Sequence, residues 1–226
     1  MAVRYLFRRG LSFATFLGTC LSISLLATAL ATHGWIEAKA YRTANPEESD
    51  GRIQLGLFSG KRELNVAYGW RTYDMKVLDA LYQDPEFLIT GLWAATVACL
   101  AAALLCSLIV GVLAIINTVT IPAPTLCGAV GLCVTNGIAF ACTVGAIVTW
   151  VIQYFLRLED NVLLQEDKDN FWTTAGLAKL SYSFWFVVAA GCIFAINIVL
   201  VILGEQSVKE RNRIRTEKPN GVTLLY

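Results

Sequence analysis

The stretch FLITGLWAATVACLAAALLCSLIVGVLAIIN, Phe87–Asn117, decides the fold of this chain. It carries no charged residue, and the charge-free run continues to Leu156. Because an apolar helix of about 20 residues crosses a bilayer, the run is long enough for two spans. Pro122 and Pro124 divide it, and proline cannot continue a helix without losing a hydrogen bond. We therefore expect two membrane helices joined by a tight turn.

Two more charge-free gaps, between Arg9 and Glu37 and between Lys179 and Glu205, predict one span each. The 226 residues are 56% hydrophobic and 15% charged, where a soluble domain carries about 25% charged residues. We expect an all-α membrane protein, a four-helix transmembrane bundle with a small extracellular β-sheet. Its predicted segments are a cytosolic N-terminus (1–10), helix 1 (11–34), a first extracellular loop (35–86), helix 2 (87–117), a cytosolic turn (118–124), helix 3 (125–156), a second extracellular loop (157–179), helix 4 (180–204) and a cytosolic tail (205–226).

The distribution of Lys and Arg predicts the orientation. The N-terminal segment has Arg4, Arg8 and Arg9 with no acidic residue, and the tail has five basic residues against three acidic ones. The segment 36–86 has seven basic and nine acidic residues, and 157–179 has three basic and five acidic. We expect a multi-pass protein of the plasma membrane with both termini in the cytosol.

A cleaved signal peptide is the competing interpretation of the N-terminus. Arg8 and Arg9, an apolar run and Ala29–Ala31 together resemble one. The apolar run is about 22 residues long, however, whereas signal-peptide cores have about 7–15. A retained first helix is therefore preferred. Charge counting does not separate the two, because a three-span product would also leave its tail in the cytosol.

Small residues recur every four positions along the third span, and such stripes let membrane helices approach closely. They predict a compact left-handed bundle. Asn136 and Asn197 are expected to make interhelical hydrogen bonds. The predicted spans contain no ionisable residue, which argues against a carrier or a pump. The stripe consists of Ala129, Cys133, Gly137, Ala141 and Gly145.

The chain offers few residues for chemistry. It has one histidine, His33, and its seven cysteines lie in the apolar runs or at their edges. We expect no catalytic, metal or cofactor site, and the net charge of +1 predicts no nucleic-acid partner. Cys127, beside the predicted cytosolic turn, is a candidate for palmitoylation. The bilayer and a membrane-protein partner that the sequence does not identify are the expected contacts.

The first extracellular loop is predicted to fold. Ile36–Tyr41 alternates apolar and charged residues, which favours a strand. The runs Ile53–Phe58 and Leu64–Trp70 flank Ser59–Arg62, a pattern typical of a hairpin with its turn at 59–62. Gly56 is then a strand-bend glycine and Gly60 a turn glycine. Met75, Leu78, Leu81 and Tyr82 follow at helical spacing.

Gly56–Lys61 also looks like a broken phosphate loop. That loop has four residues between its glycines and Ser or Thr after the lysine. Here three residues lie between the glycines and Arg62 follows the lysine. The mismatch argues against a nucleotide site.

Trp35 followed by Gly56-Leu57-Phe58 resembles the W…GLW motif of the claudin-type tetraspan superfamily. The chain is most similar to the clarin branch, on patterns that run through its whole length. The clarin-like patterns are Thr32–Ile36, Leu55–Gly60 with the motif glycines Gly56 and Gly60, Gly128–Leu132, Ser183–Trp185 followed by Asn197, and Leu224–Tyr226.

The resemblance implies a non-enzymatic organiser or adaptor of membrane complexes in polarised or sensory cells, linked to actin-rich projections. The alternative is an auxiliary subunit of an ion channel or a mechanotransduction complex. A junction-forming role is disfavoured, since the two cysteines that follow GLW in claudins are missing. In such a fold Phe58 would pack with Trp35 where the sheet meets the membrane.

Leu224, Leu225 and Tyr226 end the chain with apolar residues at the last and third-last positions. Such an end suits cytosolic scaffold domains that add a peptide as an extra strand and hold its carboxylate. The alternative is a solvated tail whose charges only fix the topology.

Overall fold

The computed structural model describes residues 2–44, 49–65, 69–119 and 128–217, and within these ranges the side chains of 7–207. Four of its helices are long and apolar enough to cross a membrane. They are α1 (Ala2–Ala31), α3 (Thr90–Val119), α4 (Ala129–Gln153, continued by a π-helical turn, Tyr154–Leu158) and α6 (Tyr182–Glu217). The predicted four-span fold is confirmed, and the apolar spans, though not the whole helices, begin and end within a few residues of the predicted positions.

The four spans form a closed ring of contacts, in which α1 and α4 each pack against both α3 and α6. Fully buried alanines lie where the helices meet: Ala103, Ala139, Ala146 and Ala190. Small side chains at these points let the backbones approach, and close approach is the main source of helix association in lipid.

The last helix is longer than the sequence predicts. Its apolar part covers Tyr182–Ser207, and the helix continues to Glu217. At 1.5 Å per residue its 36 residues extend over about 54 Å, so its last turns project beyond the bilayer. The predicted turn at Pro122 and Pro124, Cys127, and the end of the chain from 218 lie outside the described residues.

An antiparallel sheet stands on one end of the bundle, called the outer end because the charge distribution predicts that it lies outside the cell. The first loop supplies β1 (Ile36–Arg42), β2 (Gly51–Leu55), β3 (Ser59–Asn65) and β4 (Trp70–Lys76), in the order β4-β3-β2-β1, followed by the short helix α2 (Val77–Gln83). The second loop supplies α5 (Gln165–Asp169), β5 (Trp172–Thr173) and β6 (Ala178–Leu180), and both of these strands pair with β1. Sequence reasoning did not predict the strands of the second loop.

The predicted position of the hairpin turn is wrong. The turn is at 56–58, and the predicted turn residues Ser59–Arg62 begin β3. A Cβ added to Gly56 would lie 2.6 Å from the carbonyl oxygen of Thr32, so this close approach requires glycine and fixes the turn there. Gly60 is instead a strand glycine, paired with Leu55 and Met75.

The register sets which end of the sheet lies near the membrane. Ile36 pairs with Leu55, and Ser59 pairs with Lys76, so these positions form one end of the sheet, beside the ends of the spans. The opposite end of β4, at Trp70, is six residues away, which is about 20 Å at 3.4 Å per residue. The turn at 56–58 is therefore proximal to the membrane, and Trp70 is distal.

Candidate functional site at the sheet domain

Trp35 joins the sheet to the bundle. Its side chain is fully buried, and its indole N–H donates to the carbonyl oxygen of Ala29 in α1 at 2.7 Å. Its backbone N–H donates to Leu55 O, and its carbonyl accepts from Ser181 N, both at 3.0 Å. One residue thereby ties α1, β2 and the start of α6 together.

The turn at 56–58 is held against the outer ends of two spans. Gly56 N donates to Ser59 O at 2.9 Å, which closes the turn. The buried Leu57 accepts a 2.8 Å hydrogen bond at its carbonyl from the indole of Trp93, in the first turn of α3. Phe58 is 43% exposed, because the turn directs Leu57 inward. The prediction that Phe58 packs with Trp35 is wrong, and the ring that contacts Trp35 is that of Trp150.

The single histidine lies beside this turn and contacts Ser59, the residue that follows it. His33 Nδ1 lies 2.9 Å from Ser59 Oγ and 3.2 Å from Ser59 O. In the parts of the chain that are described, no hydrogen bond or ion pair joins His33 to a carboxylate, so the third member of a hydrolytic triad is not formed there. Within the same residues, no cluster of three or more His, Cys, Asp or Glu has the arrangement of a metal site.

A buried ion pair joins the two loops that form the sheet. Arg62 of β3 donates to the carboxylate of Asp167 in α5, and both side chains are largely shielded from water. The guanidinium also lies 5.8 Å from the ring of Tyr73. Burial raises the pKa of Asp167 above its ordinary value, and the charge and hydrogen bond of Arg62 offset part of that rise. Removal of either partner would therefore leave an uncompensated buried charge.

The outer edge of the sheet is open. Among the described residues, β4 pairs with β3 and with no other strand, and most of its residues are exposed. Trp70, 57% exposed, and Tyr73, also exposed, lie on it. An edge strand offers unpaired backbone N–H and C=O groups to another chain. This edge therefore presents accessible polar and aromatic residues.

The packed face of α4 differs from the predicted stripe. A Cβ added to Gly137 would meet nothing within 4 Å, and Ala141 is exposed. The stripe touches its neighbours only at its two ends. Gly145 approaches Cys99 of α3. Ala129 and Cys133 pack against a cluster of four buried residues, Val110, Ala114, Leu132 and Val201. The buried face runs instead through Leu132, Asn136, Ala139, Thr143, Ala146 and Trp150.

The two buried asparagines behave differently. Asn197 Nδ2 donates to Thr19 Oγ1 of α1 at 3.4 Å, an interhelical bond. Asn136 Nδ2 donates at 2.8 Å to Leu132 O within its own helix, so its amide nitrogen does not make the expected interhelical bond. Its buried Oδ1 has no hydrogen-bond partner among the described residues.

A charge pair lies at the inner end of the bundle, where the sequence predicted none within the spans. Arg8 Nη2 lies 3.3 Å from Glu205 Oε2. Both residues fall inside the apolar spans as the structure has them, Phe7–Ala31 and Tyr182–Ser207. Each was predicted to lie just outside a span. The pair fastens α1 to α6 near the cytosolic surface that the charge distribution predicts.

Four apolar spans that carry an antiparallel sheet built from both outside loops define a tetraspan membrane protein of the claudin-like class. The model of the Clarin-2-like family matches residues 7–201, and the chain belongs to this family. None of the curated proteins compared with it matches the chain. The resemblance to clarins that the sequence motifs carry is confirmed.

Proposed function

We propose that this clarin-family tetraspan is a non-enzymatic organiser of membrane complexes at the plasma membrane of polarised or sensory cells, with a link to the actin cytoskeleton. In this role the bundle anchors a rigid extracellular domain, and partners bind that domain and the cytosolic tail. Tetraspans of this family are generally non-enzymatic, which fits an adaptor.

The observation that carries this proposal is the open β4 edge. The sheet is fixed to the spans through Trp35 and through the Leu57–Trp93 hydrogen bond, so the edge is presented at a set height and angle. Trp70 and Tyr73 lie exposed along it, and aromatic residues are enriched among those that dominate binding energy at interfaces. A membrane-protein partner would add a strand or a flat polar surface to this edge.

The alternative role is that of an auxiliary subunit of an ion channel or mechanotransduction complex. A closed ring of spans with fully buried alanines between them suits a subunit that conducts nothing itself. Both roles use the same edge. They differ in stoichiometry: a subunit co-purifies with a channel in a fixed ratio, whereas an organiser does not.

Proximity labelling from the C-terminus in native tissue tests the proposal. We expect Trp70→Ser/Tyr73→Ser to lose a defined set of labelled membrane proteins while surface expression stays normal. Lys39→Ser/Arg52→Ser is the matched control, because these residues are also exposed but lie on the inner strands β1 and β2. An unchanged set of labelled proteins in the edge variant would refute the role of β4. Purification of the labelled complex then separates the two functions by its stoichiometry.

The cytosolic contact is proposed to lie at the end of the tail, in residues outside the described ranges. Helix α6 carries four basic residues, Lys209, Arg211, Arg213 and Arg215, beyond its apolar part. Each of them adds at most about 1 kcal/mol of attraction to an anionic inner leaflet, and this attraction does not select a partner. Specific binding would therefore come from Leu224, Leu225 and the carboxylate of Tyr226.

Two changes at the end of the chain test this contact. Deletion of 224–226 should abolish capture of a cytosolic scaffold, because the apolar side chains and the carboxylate are lost together. One glycine added after Tyr226 should do the same, because it moves the carboxylate out of register. Surface expression should stay normal in both. Recovery of the same scaffold with either change would exclude the tail as the contact.

A further inference from the structure

Helix α2 has three different sides. At 100° per residue, Val77 and Ala80 lie on one side, and both are buried against the domain. Leu78 and Tyr82, spaced four residues apart, share a second side and are 50% and 87% exposed. Asp79 and Gln83 lie on the third side and are also exposed. A helix with a buried, an apolar and a polar side fits a boundary between protein, lipid and water.

The position of α2 matches such a boundary. Val77 N donates to Phe58 O at 3.0 Å, and the preceding carbonyl, that of Leu57, accepts from Trp93 in the first turn of α3. These two hydrogen bonds, to the adjacent residues Leu57 and Phe58, therefore link the start of α2 to the outer end of α3. Its C-terminal end is also fixed, since Asp84 N donates to Ala80 O at 2.8 Å and Asp84 Oδ2 accepts from Gln165 N at 3.2 Å.

Three exposed apolar or aromatic residues lie on the turn and on α2, namely Phe58, Leu78 and Tyr82. Phe58, Leu78 and Tyr82 lie close to the level of the outer helix ends, where the exposed residues of the spans are themselves large and apolar or aromatic. Trp and Tyr concentrate at this level of a bilayer because their rings are apolar and their polar atoms reach the headgroups. The exposed residues at the outer ends of the neighbouring spans are Phe155, Leu156, Tyr182 and Trp185.

We propose that the extracellular domain docks onto the outer leaflet through an interfacial patch formed by Phe58, Leu78 and Tyr82. The occupant of the patch is phospholipid, with Leu78 and Phe58 among the upper acyl chains and the Tyr82 hydroxyl among the headgroups. The polar side of α2, with Asp79 and Gln83, faces water. The domain is then held at the membrane by the helices that flank its two loops and also by its own surface.

Photo-crosslinking of the full chain in phosphatidylcholine nanodiscs tests the proposal. The photoreactive residue p-benzoylphenylalanine is placed in turn at positions 58, 82, 83 and 70, and lipid adducts are measured by mass spectrometry of the intact protein. Position 83 is on the polar side of the same helix, and position 70 is an exposed aromatic at the distal end of the sheet. We expect adduct yields at 58 and 82 about tenfold above those at 83 and 70, because an interfacial side reaches the acyl boundary and a polar side does not.

Hydroxyl-radical footprinting of the unmodified protein in the same nanodiscs is the second measurement. Tyr82 is more exposed than Tyr73 when the protein surface alone is considered, so in water it would be oxidised faster. Lipid cover reverses the order, and Tyr82 should be oxidised several-fold more slowly than Tyr73. Faster oxidation of Tyr82, or equal adduct yields at 82 and 83, would overturn the proposal. Adducts to a co-purifying protein in place of lipid would also overturn it.

Discussion

The indole rings of Trp35 and Trp150 meet edge to face, with their centroids 4.9 Å apart, and both side chains are fully buried. Trp35 directly precedes β1, the first strand of the sheet, and Trp150 lies near the outer end of α4. This contact connects the sheet to α4, the span that lies across the ring from α1. The two indoles differ in one respect: that of Trp35 donates to Ala29 O, whereas that of Trp150 has no acceptor among the described residues.

Trp35→Phe should therefore destabilise the protein more than Trp150→Phe. The first change leaves Ala29 O without its donor, and an unmade buried hydrogen bond costs about 1–3 kcal/mol. The second removes an N–H group that makes no bond there and keeps an aromatic ring. The melting temperatures of the two variants in detergent give the order. A lower melting temperature for Trp150→Phe would show that its N–H has a partner in the membrane.

Replacement by alanine should have different effects on stability at two glycines of the spans. A Cβ on Gly18 would lie 2.5 Å from Asn197 Oδ1, whereas one on Gly137 meets nothing. Gly18→Ala should displace Asn197 from Thr19 and lower the melting temperature. Gly137→Ala should be neutral or stabilising by up to about 1 kcal/mol, because alanine favours the helix.

The double variant Gly18→Ala/Asn197→Ala provides the control for this comparison. Because Asn197→Ala makes room for the new methyl group, the loss of stability in the double variant should be smaller than the sum of the losses in the two single variants. Intracellular retention of Gly137→Ala with a lowered melting temperature would restore the small-residue stripe as a packing face.

Arg62→Gln should make stability depend on pH. The change removes the groups that lower the pKa of Asp167, so the folded-state pKa rises further above the unfolded value. A folded state that binds its proton more tightly loses stability as pH rises through that range. The variant should thus fall further below the wild type as pH rises above the ordinary carboxyl range, where an unpaired buried charge costs about 3 kcal/mol.

Thermal unfolding across this pH range measures the difference between variant and wild type. The double variant Arg62→Gln/Asp167→Asn carries no ionisable group at the pair and should lose the additional pH dependence. If the difference in stability between Arg62→Gln and the wild type is the same at every pH, the Asp167 carboxylate is solvated without Arg62 and the prediction is wrong.

Both termini should be inaccessible from outside the cell. An N-terminal epitope should remain on the mature protein and bind antibody only after permeabilisation, because Arg4, Arg8 and Arg9 favour the cytosolic side. An epitope inserted at 45–48, in the first extracellular loop, is the control and should be stained on intact cells. A mature chain that begins at Thr32 would instead establish the signal-peptide interpretation.

The sequence alone determined the four spans and their approximate ends. Insertion of a helix into a bilayer depends on the summed transfer free energy of its own residues, which is a local property. The first loop's helix at 77–83 and its strand from Ile36 were also visible, since each has a clear period of its own. The motif residues Trp35 and Gly56 indicated the family for the same reason, because short-range patterns carried the resemblance.

Only the tertiary structure decided which faces and partners these elements use. Gly137 belongs to a regular stripe in the sequence but faces open space, because the face that packs depends on how α4 is rotated against α3 and α6. The strands at Trp172 and Ala178 have too few residues for a period and form through pairing with β1, at least 130 positions earlier in the chain. The turn lies at 56–58 because the backbone of Thr32, directly after α1, approaches Gly56, and such contacts between distant parts of the chain leave no local pattern.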